Sequence, residues 1–340
     1  MDQHSWTVAE LLQLSGGYWG ACALHAGVEL DVFTPLAAGA KDAAEVAGEL
    51  SCDPRGLTML LDALASMGLL MKREGRYVVT PFSAEYLVRA SDKYLGHIIR
   101  HHHHLVAGWA RLDEAVRSGR PVREPVSHGE EAQERESFLM GMFNLAMQIA
   151  PRIAPLIDLS GHRRLLDLGG GPGTYAIHFC MQNPELSAVV YDLPTTREFA
   201  DATVARFLLS DRVGFAAGDF LTDAVPTGFD VVWVSHVLHS CGPEECALLL
   251  AKGVEALEPG GILLVQEFIL DDTRDGPLFP ALFSLNMLLG TPTGQAYSGR
   301  ELSALMSAAG LCNVQRIPLQ LPNGAGVMIG TKPAARPAAS

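Results

Sequence analysis

One glycine-rich turn and three acidic residues are the first features of the chain that could hold a ligand. Asp167-Leu168-Gly169-Gly170-Gly171-Pro172-Gly173 follows the apolar pair Leu165-Leu166 and precedes a helical pattern opening near Thr174. Glycines there let the backbone approach a ligand at the carboxyl edge of a parallel sheet, where open α/β sheets bind cofactors. A dinucleotide fingerprint, G-x-G-x-x-G counted from Gly169, would require glycine where Thr174 stands, and Asp167 precedes the first glycine. A carboxylate repels a pyrophosphate but attracts a sulfonium or ammonium group. The spacing therefore favours S-adenosyl-L-methionine over NAD, with Asp167, Gly169, Gly171 and Gly173 forming the turn around it. Asp192 ends the next strand pattern, where an acid can accept from ribose hydroxyls, a feature NAD enzymes share. Gly218-Asp219-Phe220 ends a third and offers a carboxylate to the adenine amino group and a ring to its face.

A second group of residues could do acid–base work. In Trp233-Val234-Ser235-His236-Val237-Leu238-His239-Ser240, His239 falls on the cofactor edge of the sheet, where a neutral imidazole can take a proton from an attacking hydroxyl. Glu267 ends the fifth strand pattern on the same edge and could hold the second ring nitrogen, as the third member of a triad does. His97, His101 and His104 share a helical face. That face could hold a metal or an acceptor carboxylate, or could simply be polar, and no metal is assigned.

These residues need an alternating scaffold. From Arg164 onward strand, turn and helix repeat: Leu165-Leu166, Ala188 to Tyr191, Val213 to Ala216, Phe229 to Val234 and Ile262 to Val265 are strands, with a helix from Glu244 to Leu257 among the intervening patterns. That alternation predicts a Rossmann-like, doubly wound parallel sheet. The N-terminal part reads as helical from about Ser15 to Met71, with breaks at Gly27, Pro35, Ala38-Gly39-Ala40 and Asp53-Pro54. A hairpin about Glu74-Gly75 follows, and helices before a hairpin predict a winged helix. The expected organisation is a winged-helix unit at 1–92, a helical connector at 93–158, a catalytic domain at 159–332 and a disordered tail at 333–340. A methionine-rich apolar stripe including Phe138, Phe143 and Met147 runs along the connector.

Composition narrows the function. Twenty-five basic residues against 38 acidic ones, a net charge of −13, repel nucleic acid and anionic membranes. This weighs against a winged-helix regulator that binds DNA or a small ligand, the alternative from another class. No basic leader precedes an apolar stretch, no apolar run approaches the ~18 residues of a membrane span, and six scattered cysteines form no Cys-x-x-Cys pair. A cytoplasmic protein is expected.

Taken together, Asp167 to Gly173, Gly218-Asp219-Phe220, Val237-Leu238-His239, Gly260-Gly261 through Glu267, and Ala308-Ala309-Gly310-Leu311 resemble the class I small-molecule O-methyltransferases of the caffeate and acetylserotonin type, in their bacterial branch. The resemblance covers nearly the whole chain and implies a homodimer through the N-terminal unit. It further implies His239 as base with Glu267 beside it, and cofactor contacts that extend to Leu193 and Ser235. A small hydroxylated aromatic or polyketide-like acceptor would meet Phe143, Met147, Asn286, Met287 and Thr291, with His101 and His104 as further candidates. Three positions depart from the family pattern. Ser240-Cys241 stand for the common Asp-Trp, Ser235 for a basic residue, and Ala296 for a second glutamate. These departures leave the cofactor site intact and bear on the acceptor, so C- or N-methylation, or a non-methylating reaction, is the variant reading.

Overall fold

The computed structural model describes residues 5–124 and 132–334. The start of the chain, most of the polar stretch expected between Glu124 and Glu136, and the tail from 335 lie outside the described residues. The chain divides into two compact units, one built from residues up to 106 with 136–144, the other from 107–135 and from 145 onward.

The first unit opens with α1 (Val8–Gly16), whose Thr7 and Glu10 form a reciprocal capping box, followed by α2 (Tyr18–Glu29), α3 (Phe33–Ala37), β1 (Lys41–Asp42), α4 (Ala43–Leu50) and α5 (Pro54–Ser66). Asp53 caps α5 by accepting from Gly56 N at 2.8 Å, with Pro54 in the first turn. The expected hairpin is β2 (Leu70–Arg73) and β3 (Arg76–Val79), joined by Glu74 and Gly75 at φ 50° and 78°. Their left-handed conformations give the primed turn that matches strand twist. With β1 these strands form a sheet of order β1-β3-β2. The unit continues with α6 (Pro81–Tyr86) and most of α7 (Gly96–Trp109).

Two expected breaks are absent. Gly27 lies inside α2, where a Cβ would stand 2.9 Å from a Leu64 methyl, so its glycine serves close packing of α2 on α5. Pro35 is the third residue of α3, a first-turn position that needs no donor. Before and along α1 and α2, Trp6, Leu11, Leu12, Leu14, Tyr18 and Trp19 are exposed in the single chain.

The second unit holds α8 (Leu112–Ser118), the latter part of α9 (Ala132–Ile153), then β4 (Arg164–Leu168), α10 (Thr174–Gln182), β5 (Ser187–Asp192), α11 (Arg197–Arg206), β6 (Val213–Ala217), β7 (Phe229–Ser235), α12 (Pro243–Ala256), β8 (Leu257–Leu270), α13 (Leu278–Gly290), β9 (Tyr297–Ser298), α14 (Gly299–Ala308), β10 (Cys312–Ile317) and β11 (Ala325–Thr331). The sheet order is β10-β11-β8-β7-β4-β5-β6, with β9 pairing β8. The chain reverses its direction of growth between β4 and β7, which creates the crevice where such sheets bind ligands.

Strands β4 to β8 are parallel, as predicted, but β10 and β11 are antiparallel. They answer a different requirement: β11 pairs the outer side of β8, setting Gly326 opposite Glu267. The central strands are near-continuous apolar runs because both faces are covered, by α12 and α14 on one side and α10 and α11 on the other. No helix among the described residues is long and apolar enough to cross a membrane.

Candidate active site

The turn after β4 is shaped by backbone that only glycine adopts easily. Gly169, Gly171 and Gly173 have φ of 72°, 54° and 76°. A Cβ at Gly169 would stand 2.7 Å from a Val237 methyl, and one at Gly173 2.9 Å from a Val190 methyl. Beneath the turn Asp167 is 1% exposed. Its Oδ2 accepts from Ala176 N at 3.3 Å, while Oδ1 has no hydrogen-bond partner among the described residues. Burial pushes its pKa up to about 7, and the nearby Asp192 adds to the rise. A buried acid with an open oxygen beside a glycine cradle suits a ligand that brings positive charge, so these residues fit S-adenosylmethionine.

Asp192, at the end of β5, does more than face a ligand. Its Oδ2 accepts from Gly171 N at 2.8 Å and its Oδ1 from Leu193 N at 2.7 Å and Thr196 Oγ1 at 3.0 Å. Of the four or so lone-pair positions a carboxylate offers, three thus stitch the turn after β5 to the glycine turn. Burial raises the Asp192 pKa, against the pull of these hydrogen bonds. After β6, Asp219 Oδ1 accepts from Leu221 N at 2.8 Å, and the Phe220 ring borders Gly169. Sequence reasoning missed Lys252, whose Nζ donates to the carbonyls of Phe220, Leu221 and Asp223 at 2.8, 3.1 and 2.8 Å. Its signal was that it is the lone basic residue of α12. Ser235 ends β7 and donates to Gln266 Oε1 at 3.3 Å.

His239 lies in a short 3₁₀ turn between β7 and α12. Its Nδ1 is 2.8 Å from Glu267 Oε2, and its backbone N–H donates to Oε1 at 3.2 Å. An ionised carboxylate only accepts, so Nδ1 carries the proton and Nε2 keeps a lone pair. Nε2 makes no hydrogen bond among the described residues, and the ring packs edge-on to Phe283 at 4.7 Å. His236 adopts φ 55°, lies over Phe268 and brings Nδ1 to 3.7 Å from Glu267 Oε2. Burial alone would raise the Glu267 pKa, but His239 and His236 outweigh it and hold the carboxyl well below its usual range. Among the described residues, one group of three metal-capable side chains converges: His236, His239 and Glu267, with ligand atoms within 4.8 Å. The His97, His101 and His104 face forms no such group.

The acceptor candidates divide between the units. In the second, Met287 is buried on α13, Met147 places Sδ 3.4 Å from His178 Nε2, and Asn286 Oδ1 accepts from Arg123 at 3.4 Å. Thr291 Oγ1 donates to Met287 O at 2.8 Å and accepts from Gly294 N at 3.0 Å, so the hydroxyl ties the turn after α13. Ala296 is buried at the position of the family's second glutamate, and Cys241 is buried too. In the first unit Phe143 and His101 are buried, His101 packs its ring on Phe138, and His104 is half-buried.

An acid held beside a glycine turn, two further acids at the following strand ends and an imidazole–carboxylate pair define the class: an S-adenosylmethionine-dependent methyltransferase. Within it the chain belongs to the O-methyltransferase family, whose O-methyltransferase domain matches residues 109–312 and whose dimerisation domain matches residues 12–89. It is similar to the 3-hydroxy-5-methyl-1-naphthoate 3-O-methyltransferase of Streptomyces sahachiroi, 38% identical over 327 residues that cover 95% of this chain and 94% of that one. The tetracenomycin polyketide synthesis 8-O-methyl transferase TcmO of Streptomyces glaucescens is 34% identical over 333 residues, 95% of this chain and 96% of its own. The crystal structure of human N-acetylserotonin methyltransferase in complex with SAM matches with a TM-score of 0.85 at 28% identity, over 98% of this chain and 100% of that one.

Proposed function

We propose that the chain methylates a hydroxyl of a small aromatic, polyketide-like acceptor, with His239 as general base. The observation that carries this reading is the 2.8 Å contact from His239 Nδ1 to the buried Glu267 carboxylate, which leaves Nε2 as the available base. S-adenosylmethionine, when bound, supplies an electrophilic methyl group on a sulfonium sulfur. Nε2 would take the proton of the acceptor hydroxyl as it attacks, and Glu267 would stabilise the resulting imidazolium. Gly169, Gly171 and Gly173 would shape the cofactor's bed, Asp167 would face its positive end, and Asp192, Leu193, Asp219, Phe220 and Ser235 would surround the nucleoside. Within the second unit Met147, Asn286 and Met287 would line the acceptor site, with Thr291 fixing its turn.

The apolar side chains exposed before and along α1 and α2 support a homodimer in which a second copy of the winged-helix-like first unit covers them. Six unpaired cysteines fit a cytoplasmic setting. Incubation with methyl-labelled cofactor and a panel of phenols and hydroxynaphthalenes tests the reading. Label is expected in an ether product, and transfer only to carbon or nitrogen would overturn it.

A further inference from the structure

One cation beside α13 has no use in the chemistry above. Arg123 follows α8 in a turn hung on α13 through Val122 N and Arg123 N, which donate to Leu289 O at 3.0 and 3.2 Å. A Cβ at Gly290 would fall 2.4 Å from the guanidinium carbon, and one at Gly108 would stand 3.1 Å from Cδ, so two glycines leave the space the side chain fills. Its hydrogen bonds are long and all to neutral oxygens: Asn286 O, Asn286 Oδ1 and Glu124 O, each at 3.4 Å. Nε is buried without a partner, and among the described residues the guanidinium makes no ion pair. The C-terminal end of α13 offers only about half a negative charge. Burial accordingly lowers the Arg123 pKa, the sign of a cation short of compensation.

Its position relates it to the base. Phe283, Asn286, Met287 and Gly290 fall on one face of α13. At one end of that stripe Phe283 touches the His239 ring; at the other, Asn286 and Gly290 meet Arg123. The guanidinium therefore lies one to two helical turns from the base, ~5–10 Å along the axis.

We propose that Arg123, assisted by Asn286, recognises a carboxylate on the acceptor, so that the substrate is an aromatic hydroxy acid. The proposal rests on the reading of His239 as the base and adds the chemical class of its substrate. A carboxylate can accept two parallel bonds from the guanidinium fork, which none of the neutral oxygens does. With Oδ1 turned to Arg123, Asn286 keeps its amide N–H groups for the same carboxylate.

Calorimetry on the full chain saturated with S-adenosylhomocysteine tests this, using 6-hydroxy-2-naphthoate and 7-hydroxy-2-naphthoate against their methyl esters. At least one acid should bind on the order of 10- to 100-fold more tightly than its ester. Arg123→Gln, which keeps an N–H donor group but not the charge, should abolish that preference, and Arg123→Lys should keep part of it. Unchanged S-adenosylhomocysteine affinity in each variant controls for folding. Wild-type protein that fails to favour either acid over its ester, or an Arg123→Gln protein that keeps the preference, overturns the proposal. Labelled methyl transfer measured in parallel separates the two readings. Acid preference lost in Arg123→Gln without methylation of any probe would leave the carboxylate site standing and the base in doubt, whereas methylation without acid preference would do the reverse.

Discussion

Asp167 and Glu267 are each 1% exposed, and both stand at the ligand-binding edge of one sheet, on β4 and β8 with β7 between them. Equal burial has opposite outcomes. Asp167 has one backbone N–H and no cation, and its pKa climbs to about 7; Glu267 has two imidazoles and a backbone N–H, and its pKa falls. Burial thus does not decide the charge of a carboxyl group; the partners the fold supplies do. At β8 the chain provides the cation itself, and at β4 it provides none among the described residues.

The comparison is tested most severely at His239. Replacing it with alanine should lower turnover by ~10²–10⁴-fold, the range of a lost general base, with S-adenosylmethionine affinity nearly unchanged. Near-normal turnover of His239→Ala would mean that Glu267 compensates a charge for reasons other than catalysis.

Asp167→Asn should weaken S-adenosylmethionine binding on the order of 10- to 100-fold, since the amide keeps the bond from Ala176 but loses the charge. Its pH behaviour sharpens the contrast. A folded pKa of about 7 against an ordinary 3.8 means that the native chain keeps a proton the unfolded chain has released, so this group's contribution to stability is full below the lower value and is lost as pH rises through the higher one. Without ligand, Asp167→Asn should therefore melt higher than wild type near pH 8, and the difference should vanish near pH 4. Thermal melts at the two pH values decide it, and an identical difference at both would remove the argument.

The smallest effect is expected from Glu267→Gln. Both oxygens of Glu267 accept from N–H groups of His239, and an amide oxygen can serve only one of them. Where the amide oxygen keeps the bond from Nδ1, the base survives without a full counter-charge, so turnover should fall less than in His239→Ala. Steady-state kinetics of the two variants side by side would check the ranking, and a larger loss in Glu267→Gln would reverse it.

The sequence carried most of this site because strand ends are readable. Asp167, Asp192, Asp219 and Glu267 each follow an apolar run, and His239 lies just past another. What it did not carry depends on distance rather than spacing. His236 reaches Glu267 only through a left-handed backbone that its residue type does not announce. Lys252 is separated by 29 positions from Asp223, whose carbonyl it holds, and Arg123 by 163 from Asn286. Gly27 and Pro35 read as breaks because these residue types usually are, yet a neighbouring leucine and a first-turn position explain them better. The antiparallel β10 and β11 broke the expected alternation because they close an edge instead of extending a series of crossovers.

That closing pair has an electrical consequence. Strand β8 would be the rim of the sheet without β11, whose Gly326 stands opposite Glu267. In water two opposite unit charges about 4 Å apart attract by only ~1 kcal/mol, against ~4 kcal/mol at the effective dielectric of a protein surface. The final strand, remote in sequence from both residues, acts as insulation: it covers the edge beside Glu267, which is 1% exposed, and so helps to preserve the strength of a contact made by residues 239 and 267.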